Sequence, residues 1–291
     1  MFGISHFFRR IWRHPSNRGR RLRTLARAAA WRLTSGLSGR PSELKAFGGL
    51  RLKLYPDSGV AMGLVCYNAR PEYHEMGLVQ HLLRRGDRFV DVGANIGYYT
   101  LLAAALVGPG GTVDAFEPGQ PALDRLRENI ALNRLFNVRV HALALSDAPG
   151  TARFLTGHDT TNRLAASGDA ASAATTVPAA RLDDLLSAQT CALGKLDVEG
   201  AELRVLKGAE GMLSRANPPA WILEVTHRLR DFGASQQELA SWLAARGWDL
   251  GLYDADARAF SYEPAPWTER ANVVAVARSA KADIARRVRE S

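Results

Sequence analysis

The sequence predicts an α/β fold in which a doubly wound, mostly parallel sheet is built from strands that alternate with helices. From residue 88 onward, short apolar runs typical of buried strands alternate with longer stretches of helical period. The first of these strands leads into a turn with glycines at positions 93 and 97, and the second ends in an acid, Glu117. Strands separated by helices of this length pair in parallel through right-handed crossovers and bind ligands at their carboxyl ends.

Length and charge divide the chain into two parts. The 291 residues, 46% of them hydrophobic, suit one globular domain with a large core. Residues 1–40 hold ten arginines and no lysine, aspartate or glutamate, whereas the net charge of the whole chain is +9. The remainder is therefore close to neutral. We predict a basic N-terminal extension over residues 1–45 and a single domain over residues 46–291.

The sequence predicts a cytoplasmic protein. It contains no run of ~20 apolar residues that could span a bilayer, and its first residues lack the pattern of a secretory signal. The two cysteines, Cys66 and Cys191, lie far apart in apolar surroundings, which suits buried reduced thiols.

The extension itself has several interpretations. Its first part predicts a short helix that ends before Pro15 and carries one apolar stripe. The stripe consists of Ile4, Phe7, Phe8, Ile11 and Trp12. The segment could pack on the body of the protein or be flexible, or residues 1–33 could contact an anionic membrane surface peripherally. Its charge also suits nucleic acid, but no recognition motif accompanies it, so we expect no nucleic-acid partner. A mitochondrial presequence has a similar composition.

The elements follow in chain order. Residues 50–55 and 60–67 are predicted to form a strand pair, and residues 72–85 a helix that ends at Gly86. The later strands are predicted at 88–92, 112–116, 138–145, 193–198, 220–225, 248–253 and 272–277. The later helices are predicted at 98–107, 120–135, 182–186, 199–215 and 236–246, and residues 151–181 are predicted as a polar loop with short strands.

The turn after the first long strand predicts a nucleotide-type ligand. Gly93 and Gly97 permit a tight backbone turn, and Asp91 and Asn95 place polar groups at the strand end. Glu117 can accept hydrogen bonds from the two hydroxyls of a ribose. The spacing is G-x-x-x-G, whereas a dinucleotide pyrophosphate calls for G-x-G-x-x-G. Polar side chains in such a turn suit a ligand without phosphate, so the pattern favours S-adenosylmethionine over a dinucleotide.

With these motifs the sequence resembles the FkbM family of methyltransferases. The resemblance covers residues 88–277 and rests on residues 89–100 with Phe116-Glu117-Pro118, residues 144–147, and residues 181–209 with the run Lys-x-Asp-x-Glu-Gly-x-Glu. It implies a class I methyltransferase fold, whose sheet has seven strands with the last antiparallel. It also implies that the loop from Asp91 to Gly97 holds the amino-acid part of S-adenosylmethionine, that Glu117 holds the ribose, and that Leu145 and Ser146 lie near the adenine.

The fourth strand of the alternating region carries the candidate catalytic residues. Lys195, Asp197 and Glu199 alternate, so they share a face if the strand continues that far. Methyl transfer to a hydroxyl requires a group that accepts the proton, either a carboxylate or a neutral lysine. We predict Asp197 or Glu199 as base or substrate orienter, with Lys195 tuning its pKa. A competing interpretation places Glu199 and Glu202 merely in the first turn of a helix.

Glu224 and His227, at the end of the next strand, are further candidates for this site. Asp197, Glu199 and Glu224 together could bind Mg²⁺, which is a minor alternative because nothing in their spacing demands a metal.

The expected function is O-methylation of a hydroxyl on a sugar, glycolipid or secondary metabolite, an activity that the resemblance implies. Two alternatives stay open: N-methylation of a small molecule, and a protein that binds the cofactor without transferring the methyl group. The complete motif set argues against the second. A nucleic-acid methyltransferase is disfavoured because the run Asn217-Pro218-Pro219 precedes the fifth strand instead of ending the fourth.

Overall fold

The computed structural model describes residues 9, 11–155, 162–166, 169, 174–262, 267 and 272–290. The strands are β1 Ser42–Lys45, β2 Arg51–Leu54, β3 Arg88–Val92, β4 Thr112–Phe116, β5 Val138–His141, β6 Ala144–Leu145, β7 Gly150–Leu155, β8 Arg163–Leu164, β9 Ala174–Ala180, β10 Leu193–Leu196, β11 Ala220–Glu224, β12 Trp248–Asp254, β13 Ala259–Ser261 and β14 Asn272–Ala277. The helices are α1 Arg21–Trp31, α2 Gly59–Cys66, α3 Tyr73–Leu82, α4 Tyr98–Val107, α5 Gln120–Leu132, α6 Leu182–Leu186, α7 Glu202–Lys207, α8 Glu210–Ser214, α9 Gln236–Ala244 and α10 Lys281–Arg289.

The main sheet has eight strands in the order β13-β12-β14-β11-β10-β3-β4-β5. Its central strands are parallel, and β14, the last in the chain, is inserted antiparallel to both β11 and β12. The seven-stranded class I methyltransferase sheet that the sequence predicts is therefore confirmed. The structure adds an eighth strand, because β13 turns back on β12 as an antiparallel hairpin at the sheet edge.

The sheet is apolar on both faces, as a doubly wound fold requires. On one face Phe89 and Ile222 belong to a cluster with residues of α3, α4 and α10. On the other face Val90 and Trp221 belong to a cluster with residues of α6 to α9. From β3 the chain moves outward through β4 to β5 and then returns to β10 on the other side of β3. This reversal opens a crevice between β3 and β10.

A second, four-stranded sheet in the order β6-β9-β7-β8 stands beside the main one. The single strand predicted over 138–145 was therefore wrong, since β5 ends at His141 and β6 pairs with β9. The region 151–181, predicted as a polar loop with short strands, contains β7, β8 and β9, and β7 pairs with residues 174–179 of β9 along its whole length. Residues 156–161, 167–168 and 170–173 of that region lie outside the described residues.

The strand predicted over 60–67 is wrong, because Gly59–Cys66 forms helix α2. Nearly every residue of this run is apolar, and a short run without alternation fits a fully buried helix as well as a buried strand. Ala61, Leu64 and Val65 are all buried in the main core. A strand pair does precede the alternating strands and helices, but it joins β1 to β2.

The helix predicted over 199–215 is divided into α7 and α8. Strand β10 ends at Leu196, and the backbone then turns sharply, with φ of +56° at Glu199 and +110° at Gly200. The segment that carries Asp197 and Glu199 is therefore a turn and not a continuous strand and helix, whereas Lys195 lies in β10.

Helix α1 packs against α2, and Ile11 and Ala28 belong to the main core. Ile4, Phe7 and Phe8 of the predicted apolar stripe lie outside the described residues, whereas Ile11 is fully buried and Trp12 is 47% exposed. No helix in the described part of the chain is long and apolar enough to cross a membrane.

Candidate active site

A pocket opens at the carboxyl ends of β3, β4, β10 and β11, where the strand order reverses. Its lining includes the predicted residues Asp91, Gly93, Asn95, Glu117, Leu145, Lys195, Asp197, Glu199 and Glu224. Its other walls include Val60, Tyr98, Tyr99, Phe116, Phe154, Asn162, Arg163 and Leu164. Gly97, Ser146 and His227 are not among the lining residues. Ser146 donates a hydrogen bond to Asp147, and His227 is exposed.

The glycines of the turn after β3 have different roles. Gly93 has φ of +81°, and a Cβ atom there would lie 1.8 Å from the carbonyl oxygen of Asp197. Only glycine lets this turn touch the end of β10. Gly97 has φ of +93°, and its Cβ would lie 2.5 Å from the side chain of Leu126. Gly97 therefore serves the packing of α4 against α5.

Asp91 offers a free acceptor inside the pocket. It is 1% exposed, and its Oδ2 accepts a 2.5 Å hydrogen bond from Thr100. Its Oδ1 is buried and has no partner within the described residues. Burial raises the pKa of this carboxyl, while the charge of Lys195 lowers it. An unpaired buried acceptor is costly to leave, so this oxygen fits a cationic ligand group such as an ammonium.

Glu117 is held by the backbone of the neighbouring turns. It is 5% exposed, and its two carboxylate oxygens accept hydrogen bonds from the backbone N–H groups of Asn95 (2.8 Å) and Gly119 (2.9 Å). Burial raises the pKa of Glu117 to about 7, although the hydrogen bonds from these two backbone donors lower it. Each oxygen keeps a lone pair, so the carboxylate can still accept hydrogen bonds from two hydroxyls of a ribose.

These features fit S-adenosylmethionine. The free oxygen of Asp91 could accept a hydrogen bond from its amino group, the carboxylate of Glu117 could accept hydrogen bonds from its ribose, and Gly93 places no side chain against the end of β10. Phe116 and Leu145 provide an apolar wall at the end where an adenine would lie.

Lys195 is a buried cation beneath the second half of the pocket. Its side chain is 3% exposed, its Nζ lies 2.6 Å from Oδ2 of Asp197, and Nζ lies 4.8 Å from the ring centroid of Tyr99. Burial alone would lower its pKa, but the charges of Asp197, Glu72 and Asp91 outweigh that effect and raise it. The lysine is therefore charged, and the idea of a neutral lysine base is wrong.

Three carboxyl groups meet beside that lysine. One oxygen each of Asp197, Glu199 and Glu224 lies within 4.8 Å of the others. Burial, with the charges of Asp197 and Glu199, raises the pKa of Glu224 to about 10, so Glu224 is protonated at neutral pH and hydrogen-bonded to Asp197. The predicted grouping of Asp197 and Glu199 thus occurs, but a backbone turn at Glu199 produces it instead of a shared strand face.

Glu199 forms its ion pair with an arginine, whereas Asp197 forms its own with Lys195. Its Oε2 lies 3.0 Å from Nε of Arg228, and its side chain is 14% exposed. Burial and the charge of Asp197 raise its pKa to about 7, although Arg228 lowers it. This carboxyl therefore changes charge near neutral pH.

Two supporting acids were missed or misjudged from the sequence. Glu72 accepts hydrogen bonds from the hydroxyls of Tyr98 and Tyr99, each at 2.7 Å. No local motif marks Glu72, because its partners lie on another helix. Glu202 starts α7 as one interpretation predicted, but it is 1% exposed and accepts hydrogen bonds from the backbone N–H groups of Val198 and Gly200. It holds the turn that carries Glu199.

Comparison with known proteins identifies the family. Residues 91–250 match the methyltransferase FkbM domain. The chain is 31% identical over 202 residues to the 31-O-demethyl-FK506 methyltransferase FkbM of Streptomyces tacrolimicus, covering 58% of this chain and 75% of that protein.

Solved structures with some likeness include two methyltransferase-related proteins. An S-adenosylmethionine-dependent O-methyltransferase from Thermotoga maritima is 11% identical with a TM-score of 0.37, over 70% of this chain and 63% of that one, less than two thirds of its length. Aeropyrum pernix fibrillarin with natively bound S-adenosylmethionine is 14% identical with a TM-score of 0.40, over 72% and 76% of the two chains. The family match spans more than half of the chain and includes the β3 turn, Glu117 and the β10 cluster, and the chain belongs to the FkbM family of S-adenosylmethionine-dependent methyltransferases.

Proposed function

We propose that this methyltransferase acts on a hydroxyl group of a sugar, a glycolipid or a secondary metabolite. The observation that carries the proposal is the carboxyl cluster at the end of β10, where Glu199 has a pKa of about 7. A hydroxyl must lose its proton as it is methylated, and a general base works best when its pKa lies near the working pH. The name of the Streptomyces tacrolimicus relative, which specifies an O-demethyl substrate, supports an oxygen acceptor.

The first half of the pocket would hold the cofactor. Asp91 would receive its amino group and Glu117 its ribose hydroxyls, with Gly93 and Asn95 forming the turn beneath it. Leu145 would contact the adenine, and Ser146, which follows Leu145 in the chain, would lie near it without lining the pocket. When bound, S-adenosylmethionine supplies an electrophilic methyl group.

The second half of the pocket would orient and deprotonate the acceptor. Asp197 is fixed between the charged Lys195 and the protonated Glu224, so it is suited to accept a hydrogen bond from the acceptor hydroxyl. Glu199, held by Arg228, would then take the proton. Holding the acceptor oxygen in line with the methyl group would lower the activation barrier, because the reacting atoms are already oriented.

We propose that the carboxyl cluster works without Mg²⁺. Asp197 and Glu199 are already paired with Lys195 and Arg228, and Glu224 carries a proton. Two cations and one proton thus already offset the negative charge of the three carboxyls, so the cluster does not require a divalent cation for charge balance.

The experiment is a methyl-transfer assay on hydroxylated acceptors. The purified protein is incubated with S-adenosylmethionine and panels of sugars, glycolipids and hydroxylated natural products, and release of S-adenosylhomocysteine is measured. Mass spectrometry and NMR of the product then identify the methylated atom. A methyl ether whose formation depends on Glu199 supports the proposal. A methylated nitrogen would show the alternative, N-methylation, to be correct. Binding of cofactor without product from any panel would favour a binding protein.

We also propose that the protein works in a reducing compartment such as the cytoplasm. Cys66 and Cys191 are both free and buried, and a disulfide between them is absent from the described structure. Free thiols of this kind are typical of cytoplasmic proteins.

A further inference from the structure

Helix α1 of the arginine-rich N-terminal segment packs on the protein through one of its faces. Thr24 and Ala28 of α1 are buried, and the guanidinium group of Arg27 donates hydrogen bonds to the carbonyl of Val65 (2.5 Å) and to Asn68 (2.7 Å). These contacts fix the helix on α2. The opposite face of the helix is therefore held in one orientation toward solvent.

That outer face carries an apolar stripe. Helix α1 continues into a π-helical turn over Arg32–Gly36. Leu22, Leu33 and Leu37 are 75%, 67% and 78% exposed. Ala26 and Ala29 lie between them at helical spacing and are also exposed. Leucines at three positions on one outward face are unusual for a solvated helix, where polar residues are expected.

Arginines border this stripe on both sides. Arg23 follows Leu22 and Arg32 precedes Leu33, and one residue corresponds to a rotation of ~100° around a helix. The two guanidinium groups therefore flank the leucines in opposite directions. Among the described residues, neither arginine forms an ion pair, and residues 1–40 contain no acid.

We propose that this leucine stripe with its flanking arginines, residues 21–37, is a docking surface for an anionic membrane. The leucines would enter the interface between headgroups and acyl chains, while the arginines would meet lipid phosphates. A nucleic acid would engage the arginines but would leave the leucine stripe exposed to water. The indole of Trp12, 47% exposed and 5.0 Å from the guanidinium carbon of Arg21, extends the same amphipathic surface.

The surface is connected to the pocket through α2. Val60, near the start of α2, lines the pocket, and Val65, near its end, accepts the hydrogen bond from Arg27. They lie five positions apart along the helix, a rise of ~7.5 Å. If the proposed function holds, docking would place the pocket near the bilayer, which suits an acceptor in the membrane, such as a glycolipid. The docking itself does not depend on the acceptor.

The test is vesicle flotation of the full chain. Vesicles of phosphatidylcholine alone are compared with vesicles that also contain phosphatidylglycerol. We expect binding to the anionic vesicles only, weakening as salt rises. The variant Leu22→Gln/Leu33→Gln/Leu37→Gln should bind at least ~10-fold more weakly, since three partly inserted leucines are lost. Arg23→Gln/Arg32→Gln should weaken binding on the order of 10-fold or more, at roughly fivefold per arginine.

Phe136→Gln provides the matched control, because Phe136 is 94% exposed outside this surface. It should bind vesicles as the wild type does. The proposal fails if the wild type does not float with anionic vesicles, or if the leucine variant floats equally well. It also fails if the leucines instead maintain a dimer seen in sedimentation without vesicle binding. Tight RNA binding that the leucine variant retains, without flotation, would identify a nucleic-acid surface instead. Flotation does not measure methyl transfer, so its failure is separate from failure of the proposed function.

Discussion

The ammonium of Lys195 lies 2.6 Å from the carboxylate of Asp197, and both lie at the floor of the pocket, at the end of β10. The lysine side chain is 3% exposed and the aspartate side chain 26%. The charge of Lys195 is coupled to that of Asp91, and Asp197 belongs to the carboxyl cluster with Glu199 and Glu224. The charge balance of the site therefore depends on one buried lysine.

Removal of that lysine should be strongly destabilising. In Lys195→Met the neighbouring carboxylates lose their common cation, and breaking a buried pair in this way costs about 3–5 kcal/mol. The loss should shrink at acidic pH, where the carboxyl groups become protonated. Urea unfolding at two pH values measures this. Lys281→Met, which removes a partly exposed pair with Asp249, should cost less than about 1 kcal/mol. Equal losses in the two variants would contradict this account.

The pH dependence of activity should report Glu199. A carboxyl group must be ionised to act as a base, and the pKa of Glu199 is about 7. We therefore expect kcat/KM to rise with pH through about 7 and to level off above it. In Glu199→Gln the rise of kcat/KM with pH should disappear, and the rate should fall by about 10²–10⁴-fold. Arg228 lowers the pKa of Glu199, so Arg228→Gln should move the limb to higher pH, whereas the exposed Arg230→Gln should not. A limb that persists in Glu199→Gln would assign the proton acceptor elsewhere.

Glu224 should make the protein less stable as pH rises. Its pKa is raised from 4.5 to about 10, so between these values the folded protein holds a proton that the unfolded chain releases. Stability then falls by up to about 1.4 kcal/mol per pH unit. Glu224→Gln keeps a neutral hydrogen-bonding group and should remove the part of this slope that lies above about pH 7 in thermal unfolding. Below that pH, Glu117 and Glu199, whose pKa values are raised to about 7, add a slope of the same sign. Glu290→Gln, at an exposed position, should leave it unchanged. A wild type without the slope would show that Glu224 is ionised.

The same variant tests the metal alternative. If the cluster works without Mg²⁺, neither added Mg²⁺ nor EDTA should change the melting temperature or the activity of the wild type. A rise in melting temperature with Mg²⁺ that Glu224→Gln abolishes would instead establish a metal site on Asp197, Glu199 and Glu224.

The contact between the β3 turn and β10 should tolerate only glycine. In Gly93→Ala the new Cβ would meet the Asp197 carbonyl oxygen at 1.8 Å, at φ of +81°. We expect a loss of about 3 kcal/mol or more and weak cofactor binding. Gly63→Ala lies in α2 with nothing within 4 Å of the new Cβ, and should stabilise by about 0.5–1 kcal/mol. Calorimetric melting distinguishes the two, and a mild effect of Gly93→Ala would contradict the close approach.

Local motifs were the most predictable part of this protein. The turn after β3 and the acid at Glu117 follow from patterns within single βα units. The seven-stranded sheet with its last strand antiparallel follows from the family resemblance, because no local pattern sets the order of the strands. The helix Gly59–Cys66 was not predictable, because a short apolar run has the same appearance in a buried strand. Glu72 could not be found for a different reason, since its partners Tyr98 and Tyr99 come from a distant part of the chain.

The carboxyl cluster was predictable from the sequence only in part. Alternation along the sequence indicated that Lys195, Asp197 and Glu199 would share a site, and the pocket contains all three. The strand ends before Asp197, however, and the positive φ at Glu199 brings its carboxyl into the pocket. Sequence patterns do not show such a turn when a non-glycine residue adopts it. Glu224 joins the cluster because β11 is the neighbour of β10.

The most direct test of the central claim is isothermal titration of the purified protein with S-adenosylhomocysteine. We predict saturable binding to the wild type and to Asp124→Asn, an exposed control, with no binding of NADH. Glu117→Ala removes the acceptor proposed for the ribose and should weaken binding by about 10-fold or more, since hydrogen bonds to a charged group contribute about 1.5–3 kcal/mol each. Circular dichroism checks that the variant is folded. Absence of binding to the wild type, or binding of NADH in its place, would contradict the assignment of this pocket to S-adenosylmethionine.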